Sequence, residues 1–343
     1  MIQDKDCNSV YFSEYLQEMF PHLSKYLSDI LLEYGYTPKY IPTTDNTLVG
    51  KRLSIWVRDY MSIQRNVNDF VLFDYRPNYL VEAKTYVNHI PDAKKVLDSL
   101  SIKALGLTTG NTQFPDGLNI DGGNVLRCGD YIVMTDKVFD ENPKWKQQDL
   151  VNALTDLFGK TIIFLPWDRR EFCGHTDGIL RYIGNGKVLL NTYGDPDHDV
   201  NDKFFMNRFK NRLETYFGEG NVEVLKFSER EKVSDYRWAY VNWLQLEKVL
   251  IIPKFGVPED DEALQKIEEF MPEYKGKIKQ VMMEKEYDMS DPEEKTNFYN
   301  QIAKRLFLTK TTIFYMFIVK NIRQSLDFRC RQVVFLAYQV IKS

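Results

Sequence analysis

An amphipathic helix that ends near a glycine and leads into a short apolar strand recurs along this chain, and this repeat limits the folds open to it. Strands are predicted between these helices, and Asn185-Gly186 joins two of them in a hairpin. Repeated ββαβ modules predict an α/β fold, arranged as a pseudosymmetric array closed on itself rather than as a doubly wound sheet. Apolar residues follow helical spacing over residues 23–31, 150–157, 205–217 and 259–270, and Gly35, Gly159 and Gly218 follow the first three helices.

The composition narrows the class of protein. Hydrophobic residues make up 43% of the 343 residues, and a net charge of −4 with no basic stripe argues against a nucleic-acid partner. The four cysteines lack the paired spacing of a disulfide framework or a zinc site. No signal peptide is visible, and the longest apolar run, residues 311–319, is too short to cross a bilayer. We therefore expect a soluble, cytoplasmic protein without a membrane partner.

His175 and Asp177 lie in the segment Cys173-Gly174-His175-Thr176-Asp177-Gly178, after a predicted strand. On an extended segment residues i and i+2 point to the same side, so both side chains are predicted to face one pocket. An isolated His-x-Asp is more often a loop histidine in a local turn contact. Together with further carboxylates, however, the pair suits a guanidinium, a planar cation that carboxylates bind through paired hydrogen bonds.

Three other segments supply polar side chains, each with a plainer alternative. Asp59 ends a predicted strand that contains Trp56, where it could simply form a surface pair with Arg58. Asp121 precedes a Gly-Gly pair, which alone would indicate an ordinary turn. Asn242 lies among aromatic residues, either as a buried, satisfied amide or as a polar contact to substrate.

Five motifs, in this order, resemble the agmatine deiminase and bacterial-type peptidylarginine deiminase family over about residues 40–280. Each motif is weak alone, but five in the right order and spacing are specific. The resemblance implies a guanidine-modifying hydrolase with a pseudo-fivefold α/β-propeller built from ββαβ modules. The motifs are Trp56-Val57-Arg58-Asp59, Asp121-Gly122-Gly123-Asn124, Gly174-His175-Thr176-Asp177-Gly178, Tyr240-Val241-Asn242-Trp243-Leu244 and Ile251-Ile252-Pro253-Lys254-Phe255.

The resemblance also implies roles for these residues. Asp59 and Asp177 would hold the guanidinium, His175 would act as general acid and base, and Asp121 would orient His175. Asn242 and Trp56 would contact the substrate, and Arg58 would brace its loop. The implied reaction hydrolyses a linear amidine C–N bond to a ureido product and ammonia through a covalent cysteine intermediate, without a cofactor. Agmatine, on a route to putrescine, is the leading substrate and peptidyl arginine the second. Free arginine stays open, as does the oligomeric state.

The expected nucleophile, a cysteine in a glycine-rich loop, does not follow the motifs. Residues 281–292 contain neither glycine nor cysteine. Cys330 lies between two arginines, which favour a thiolate, but it lacks the glycine context and comes too late in the chain. Cys173 does not match the family's nucleophile position, and Cys128 is predicted to be a small core residue.

We therefore divide the chain into a deiminase-like domain, residues 1–282, and a divergent C-terminal segment, residues 283–343. Either the tail has been replaced by unrelated sequence, or the protein is a non-catalytic guanidinium binder that retains the site. The abrupt change in sequence favours replacement. A tail that cannot complete the last module is predicted to leave a sheet edge exposed and to promote self-association.

Overall fold

The computed structural model describes residues 2–42, 55–81, 93–102, 117–170, 173–192, 197, 199–227, 239–282 and 338–342. The strands are β1 (Ser9–Ser13), β2 (Pro38–Ile41), β3 (Ile63–Asn66), β4 (Asp69–Val71), β5 (Leu126–Cys128), β6 (Tyr131–Thr135), β7 (Thr161–Leu165), β8 (Leu180–Gly184), β9 (Lys187–Asn191), β10 (Val222–Leu225), β11 (Leu244–Gln245), β12 (Leu250–Lys254), β13 (Ile278–Met282) and β14 (Tyr338–Ile341). The helices are α1 (Glu14–Met19), α2 (Pro21–Glu33), α3 (Val57–Tyr60), α4 (Asn78–Val81), α5 (Ala93–Ser99), α6 (Lys137–Glu141), α7 (Gln147–Phe158), α8 (Val200–Phe217) and α9 (Glu259–Phe270).

The described strands form five small, separate sheets, and four of them share one construction. In the sheets β5-β6-β7, β8-β9-β10 and β11-β12-β13, the first two strands are antiparallel, and a helix then leads to a parallel third strand. The β3-β4 hairpin has a parallel bridge, Asp74 to Asn119, where a third strand would lie. The predicted α/β class and ββαβ order are therefore present. No closed sheet is found among the described residues.

The fourth sheet of this kind is assembled from both ends of the chain. Strand β14 pairs antiparallel with β1, which pairs in parallel with β2. Beside it, the buried Gln64 side chain donates a hydrogen bond to the Lys342 carbonyl and accepts one from the Lys342 N–H, each at 2.8 Å. The prediction that the tail leaves the sheet edge exposed is therefore wrong at β1, because residues 338–341 cover that edge.

Local sequence explains the main element boundaries. Helix α7 ends at Gly159, whose left-handed φ of 60° costs a glycine little. Helix α8 begins at Asp199, whose carboxylate accepts hydrogen bonds from the N–H groups of Asn201 and Asp202. The predicted hairpin joins β8 and β9, with positive φ at Asn185 and Gly186 as its two-residue turn requires.

The core lies between these sheets and the helices that cover them. The predicted apolar faces of α2, α7, α8 and α9 are buried, with Leu27, Leu154, Phe209 and Ile267 almost fully excluded from solvent. The largest fully buried side chains include Trp243, Tyr60 and Tyr240. Within the described ranges no helix has the length and apolar character needed to span a membrane.

Two local predictions are wrong in detail. Asp59 was expected at the end of a strand, but it lies in the one-turn helix α3. The His175–Asp177 segment was expected to be extended, but the chain turns at Thr176, whose carbonyl accepts hydrogen bonds from the N–H groups of Ile179 and Leu180. Both segments are short connections whose shape is set by what packs against them.

Candidate active site

A Gly-Gly turn brings three distant segments into contact. Gly122 and Gly123 begin a 3-10 turn, Gly122–Asn124, just ahead of β5. A Cβ on Gly122 would lie 2.1 Å from the Arg58 carbonyl oxygen, and a Cβ on Gly123 would lie 2.4 Å from Nδ1 of His175. Neither position has room for a side chain. The loop before β5 can therefore contact both the α3 backbone and the imidazole ring only because it is Gly-Gly.

His175 is held by Asp121, which the same turn positions. The Nε2 atom of His175 lies 2.8 Å from Oδ2 of Asp121. That oxygen also accepts a hydrogen bond from the Tyr79 hydroxyl at 2.7 Å, while Oδ1 accepts one from the Gly123 N–H. Asp121 therefore lies directly beside His175, and its role in orienting the histidine stays a prediction.

Two further carboxylates are buried beside this pair. Asp59 is 3% exposed and Asp177 is fully buried. Oδ1 of Asp59 and both carboxylate oxygens of Asp177 accept no hydrogen bond from the described residues. Arg58 forms an ion pair with Asp177, with its Nε 3.4 Å from Oδ2. Buried carboxylate oxygens without donors are costly, so this arrangement suits a ligand that brings several N–H donors.

The charges of the cluster follow from burial and from its own members. Burial tends to lower the pKa of His175, but the Asp121 and Asp59 carboxylates raise it to about 10. Burial tends to raise the pKa of Asp121, but His175, Lys137 and Tyr79 outweigh it and hold that pKa below its usual range. His175 and Asp121 therefore form a charged pair at neutral pH.

The pKa values of Asp59 and Asp177 are raised, in contrast to the lowered pKa of Asp121. Burial raises the pKa of Asp59 well above its usual range, and the negative charge of Asp121 adds to the shift. Burial also raises the pKa of Asp177, although His175, Arg58 and Arg181 oppose it. Each carboxylate is costly to ionise without a further cation, and a bound cation would relieve that cost.

The remaining predicted contacts lie in different surroundings. Asn242 is buried, and its Oδ1 accepts a hydrogen bond from Nη2 of Arg181 at 3.4 Å. Its contact with the substrate stays a prediction. Trp56 is half-buried at the residue before α3 and packs against the core. Arg58 is buried and pairs with Asp177 and Asp4, which agrees with a bracing role.

Sequence reasoning missed two residues next to this cluster. Tyr79 bonds Asp121, but no pattern around it in the sequence indicates this. Lys137 is 1% exposed, pairs with Glu141 at 2.5 Å and lies 4.9 Å from the centre of the Tyr79 ring. Its i,i+4 spacing to Glu141 is a readable signal for an ion pair, although usually for an exposed one. A Cβ on Gly174 would meet its Cδ at 2.5 Å, so this lysine also explains a glycine of the histidine motif.

Two of the three described cysteines, Cys7 and Cys128, offer little thiolate. Burial raises the pKa of Cys7 to about 12, and it also raises the pKa of Cys128, which lies in the core as predicted. Cys173 is half-buried and close enough to Tyr75 and Tyr79 for its charge to influence their pKa values. Cys330 lies outside the described residues.

The cluster also contains side chains of the types that ligate metals. Asp59, Asp121 and His175 place one ligand atom each within 4.8 Å of one another. A metal would have to displace the proton that the neighbouring carboxylates favour on His175. The donor-free oxygens of Asp59 and Asp177 match a planar, N–H-rich cation better.

Comparison with known proteins places this chain in a family. A family profile described as Porphyromonas-type peptidyl-arginine deiminase matches residues 42–285, well over half of the chain. The chain belongs to this family. Its members are deiminases, hydrolases that act on C–N bonds, so the resemblance of the five motifs is confirmed. No curated protein matches the sequence.

Solved structures show the same fold as this deiminase-family chain. A Cys-to-Ser variant of the C. jejuni agmatine deiminase with substrate bound superposes with a TM-score of 0.62 at 14% identity, covering 82% of this chain and 90% of that one. The Enterococcus faecalis agmatine deiminase superposes with a TM-score of 0.58 at 16% identity, covering 82% and 89%. At these identities the likeness establishes the α/β fold alone.

The Gly-Gly contact generates a first prediction. Replacing Gly123 by Ala is expected to displace the His175 ring and to weaken the binding of agmatine, used as a guanidinium probe, by about tenfold or more, roughly 1.4 kcal/mol. Gly178→Ala is the matched control, because its Cβ would meet only Ala239, at 3.7 Å. Isothermal titration calorimetry of both variants measures the effect. Equal affinities for the two variants would show that the close packing of Gly123 on His175 does not matter for binding.

The raised pKa of Asp59 generates a second prediction. Agmatine affinity is expected to fall on acidification, beginning above the usual aspartate range, because Asp59 takes up a proton early and then no longer attracts a cation. The attraction is present above this pKa and lost as the pH falls through it. Binding measured from about pH 8 down to about pH 4 tests this. An affinity that stays constant down to about pH 4 would contradict the prediction.

Proposed function

We propose that this chain is a guanidine deiminase-type hydrolase whose site binds a guanidinium through Asp59 and Asp177, next to His175. The observation that carries the proposal is the pair of buried carboxylates with donor-free oxygens. A guanidinium supplies five N–H donors in a plane and a positive charge, which satisfies both the hydrogen bonding and the electrostatics of that pair. Membership of a deiminase family supports the same reaction class.

In the proposed mechanism the protonated His175 acts first as an acid. A cysteine thiolate adds to the central guanidinium carbon, the C–N bond to one amino group breaks, and His175 gives its proton to the departing ammonia. His175, now neutral, takes a proton from water as the water adds to the thiouronium carbon. The thiolate then leaves, the remaining hydroxyl proton passes to solvent, and the ureido product is released. Asp121 holds the ring in place and stabilises its charged form.

We propose that the five sheets are the blades of a pseudo-fivefold α/β-propeller. The repeated strand order supports this arrangement, as does the sheet in which β14 joins β1 and β2. A first strand supplied from the far end of the chain is what closing a ring of such modules requires. The loops that carry Asp59, Asp121 and His175 would then converge from neighbouring blades.

We propose agmatine as the leading substrate, in a cytoplasmic route to putrescine, and peptidyl arginine as the second candidate. The agmatine deiminases of C. jejuni and E. faecalis share the fold, which supports the first. The family description supports the second. In this proposal Asp59, Asp177 and His175 would contact only the guanidinium end, which the two substrates have in common.

A non-catalytic guanidinium binder is the alternative that a specific observation favours. Two of the three cysteines in the described part of the chain are buried, with raised thiol pKa values. The divergent segment, residues 283–343, lacks the glycine-rich cysteine loop of the family. A binder would hold agmatine without releasing ammonia.

Ammonia release from agmatine and from an arginine peptide tests the proposal. We expect turnover by the native chain, loss of about a hundredfold or more in His175→Ala, and no change in His22→Ala, whose histidine is exposed on α2. Chelator should leave the rate unchanged, because the mechanism uses no metal. Agmatine binding without turnover would favour the binder, and the absence of both would contradict the guanidinium site.

A haloacetamidine that mimics guanidine identifies the nucleophile. Peptide mass spectrometry after labelling, with and without agmatine, shows which thiol the substrate protects. Protection of Cys330 would place the divergent segment at the site, whereas protection of Cys173 would assign the nucleophile to the histidine loop. Labelling without protection at any cysteine would support the binder.

A further inference from the structure

Three buried arginines converge on one carboxylate near the N-terminus. Asp4 lies in a 3-10 turn, Asp4–Asp6, and its Oδ2 is 3.2 Å from Nη1 of Arg58 and 3.7 Å from Nη1 of Arg181. Its Oδ1 accepts a hydrogen bond from Nη2 of Arg127. Arg58 is 5% exposed, Arg127 is 7% exposed and Arg181 is 3% exposed. We refer to Asp4, Arg58, Arg127 and Arg181 as the arginine hub.

The arginines of the hub come from three different structural units. Arg58 lies in α3, Arg127 in β5 and Arg181 in β8. Buried guanidinium groups need counter-charges, and Asp4 is the one carboxylate, among the described residues, that pairs with all three. A single carboxylate of the N-terminal turn therefore pairs with a cation from each of these three units.

The hub connects to the proposed guanidinium site through Arg58. Its Nη1 faces Asp4, whereas its Nε lies 3.4 Å from Oδ2 of Asp177. Arg181 is fixed on its other side, since its Nε donates to the Val241 carbonyl at 2.7 Å and its Nη2 to the Trp243 carbonyl at 3.2 Å. Of these two arginines, Arg58 is the one that divides its donors between Asp4 and the site.

This division affects what Asp177 can bind. A guanidinium prefers to engage a carboxylate through two parallel hydrogen bonds. If Arg58 turned its full edge towards Asp177, it would occupy the oxygens that the substrate needs. Asp4 competes for the same guanidinium and draws Nη1 away, so that Asp177 keeps oxygens without a hydrogen-bond donor.

We propose that Asp4 is a positioning residue for substrate binding, which acts by holding Arg58 away from full engagement with Asp177. This inference rests on the proposed function, because it assumes that Asp177 binds the substrate guanidinium. Asp4 touches neither the substrate nor the reacting atoms. Its effect should therefore appear in agmatine affinity and KM rather than in kcat.

The test compares two aspartates of the same turn. Asp6 is exposed and bonds only the Gln3 N–H among the described residues, so Asp6→Asn is the matched control for Asp4→Asn. Calorimetry is expected to show agmatine binding about tenfold weaker in Asp4→Asn and unchanged in Asp6→Asn. Asp4→Glu keeps the charge and displaces it by one methylene, so its agmatine affinity should lie between those of Asp4→Asn and Asp6→Asn. It also replaces Asp4→Asn in the test if that variant does not fold.

Repeating the test in an Arg58→Gln variant distinguishes a positioning role of Asp4 from a merely structural one. In Arg58→Gln the competing guanidinium is gone, so adding Asp4→Asn should change agmatine affinity no further. A tenfold loss that persists in that background would overturn the inference, as would native affinity in both Asp4→Asn and Asp4→Glu. If the native chain bound no agmatine, the proposed function would fail and this inference with it. If the native chain binds agmatine and neither Asp4 substitution changes the affinity, this inference is overturned while the proposed function stands.

Discussion

The site depends on the contact between the Gly122-Gly123 turn, the α3 backbone and the His175 ring. A side chain on Gly122 would collide with the Arg58 carbonyl, and one on Gly123 would collide with the imidazole. The missing side chains allow Asp59, Asp121 and His175 to approach one another although they are far apart in sequence. The Asp177 N–H also donates a hydrogen bond to the Gly123 carbonyl, so the fourth site residue is tied to the same turn.

The same packing concentrates charge where water is excluded. Three buried carboxylates surround one imidazolium, and two of them have pKa values raised mainly by burial. Such a cluster lowers stability when it is empty, a cost that is typical of sites built to bind a charged ligand. The arginine hub extends this network, because Arg58 joins the Asp177 carboxylate to the counter-ion Asp4. Arg58 therefore connects the N-terminal turn to the carboxylate cluster.

Much of this architecture could be predicted from the sequence. Helical spacing and terminal glycines located α2, α7, α8 and α9, since an amphipathic helix against a sheet leaves a strong local pattern. The hairpin at Asn185-Gly186 was predicted because its two-residue turn needs residues that tolerate positive φ. The motifs also identified Asp59, Asp121, His175 and Asp177, which the fold brings together at one place.

What could not be predicted depends on contacts between distant segments. Asp59 lies in a helical turn rather than a strand, because the Gly-Gly turn packs on that backbone. Strand β14 pairs with β1 from the opposite end of the chain, and no local pattern specifies such a pairing. Asp4, Tyr79 and Lys137 stand in ordinary sequence surroundings, so only the tertiary structure shows them beside the site or its arginines.

A double-mutant cycle on agmatine binding, with Asp59→Asn and Asp177→Asn, tests the central claim most directly. If both carboxylates hold one guanidinium, the two losses of binding free energy will be non-additive, with a coupling of about 1 kcal/mol or more. Losses that add to within about 0.5 kcal/mol, or binding that neither substitution weakens, would contradict a shared guanidinium site.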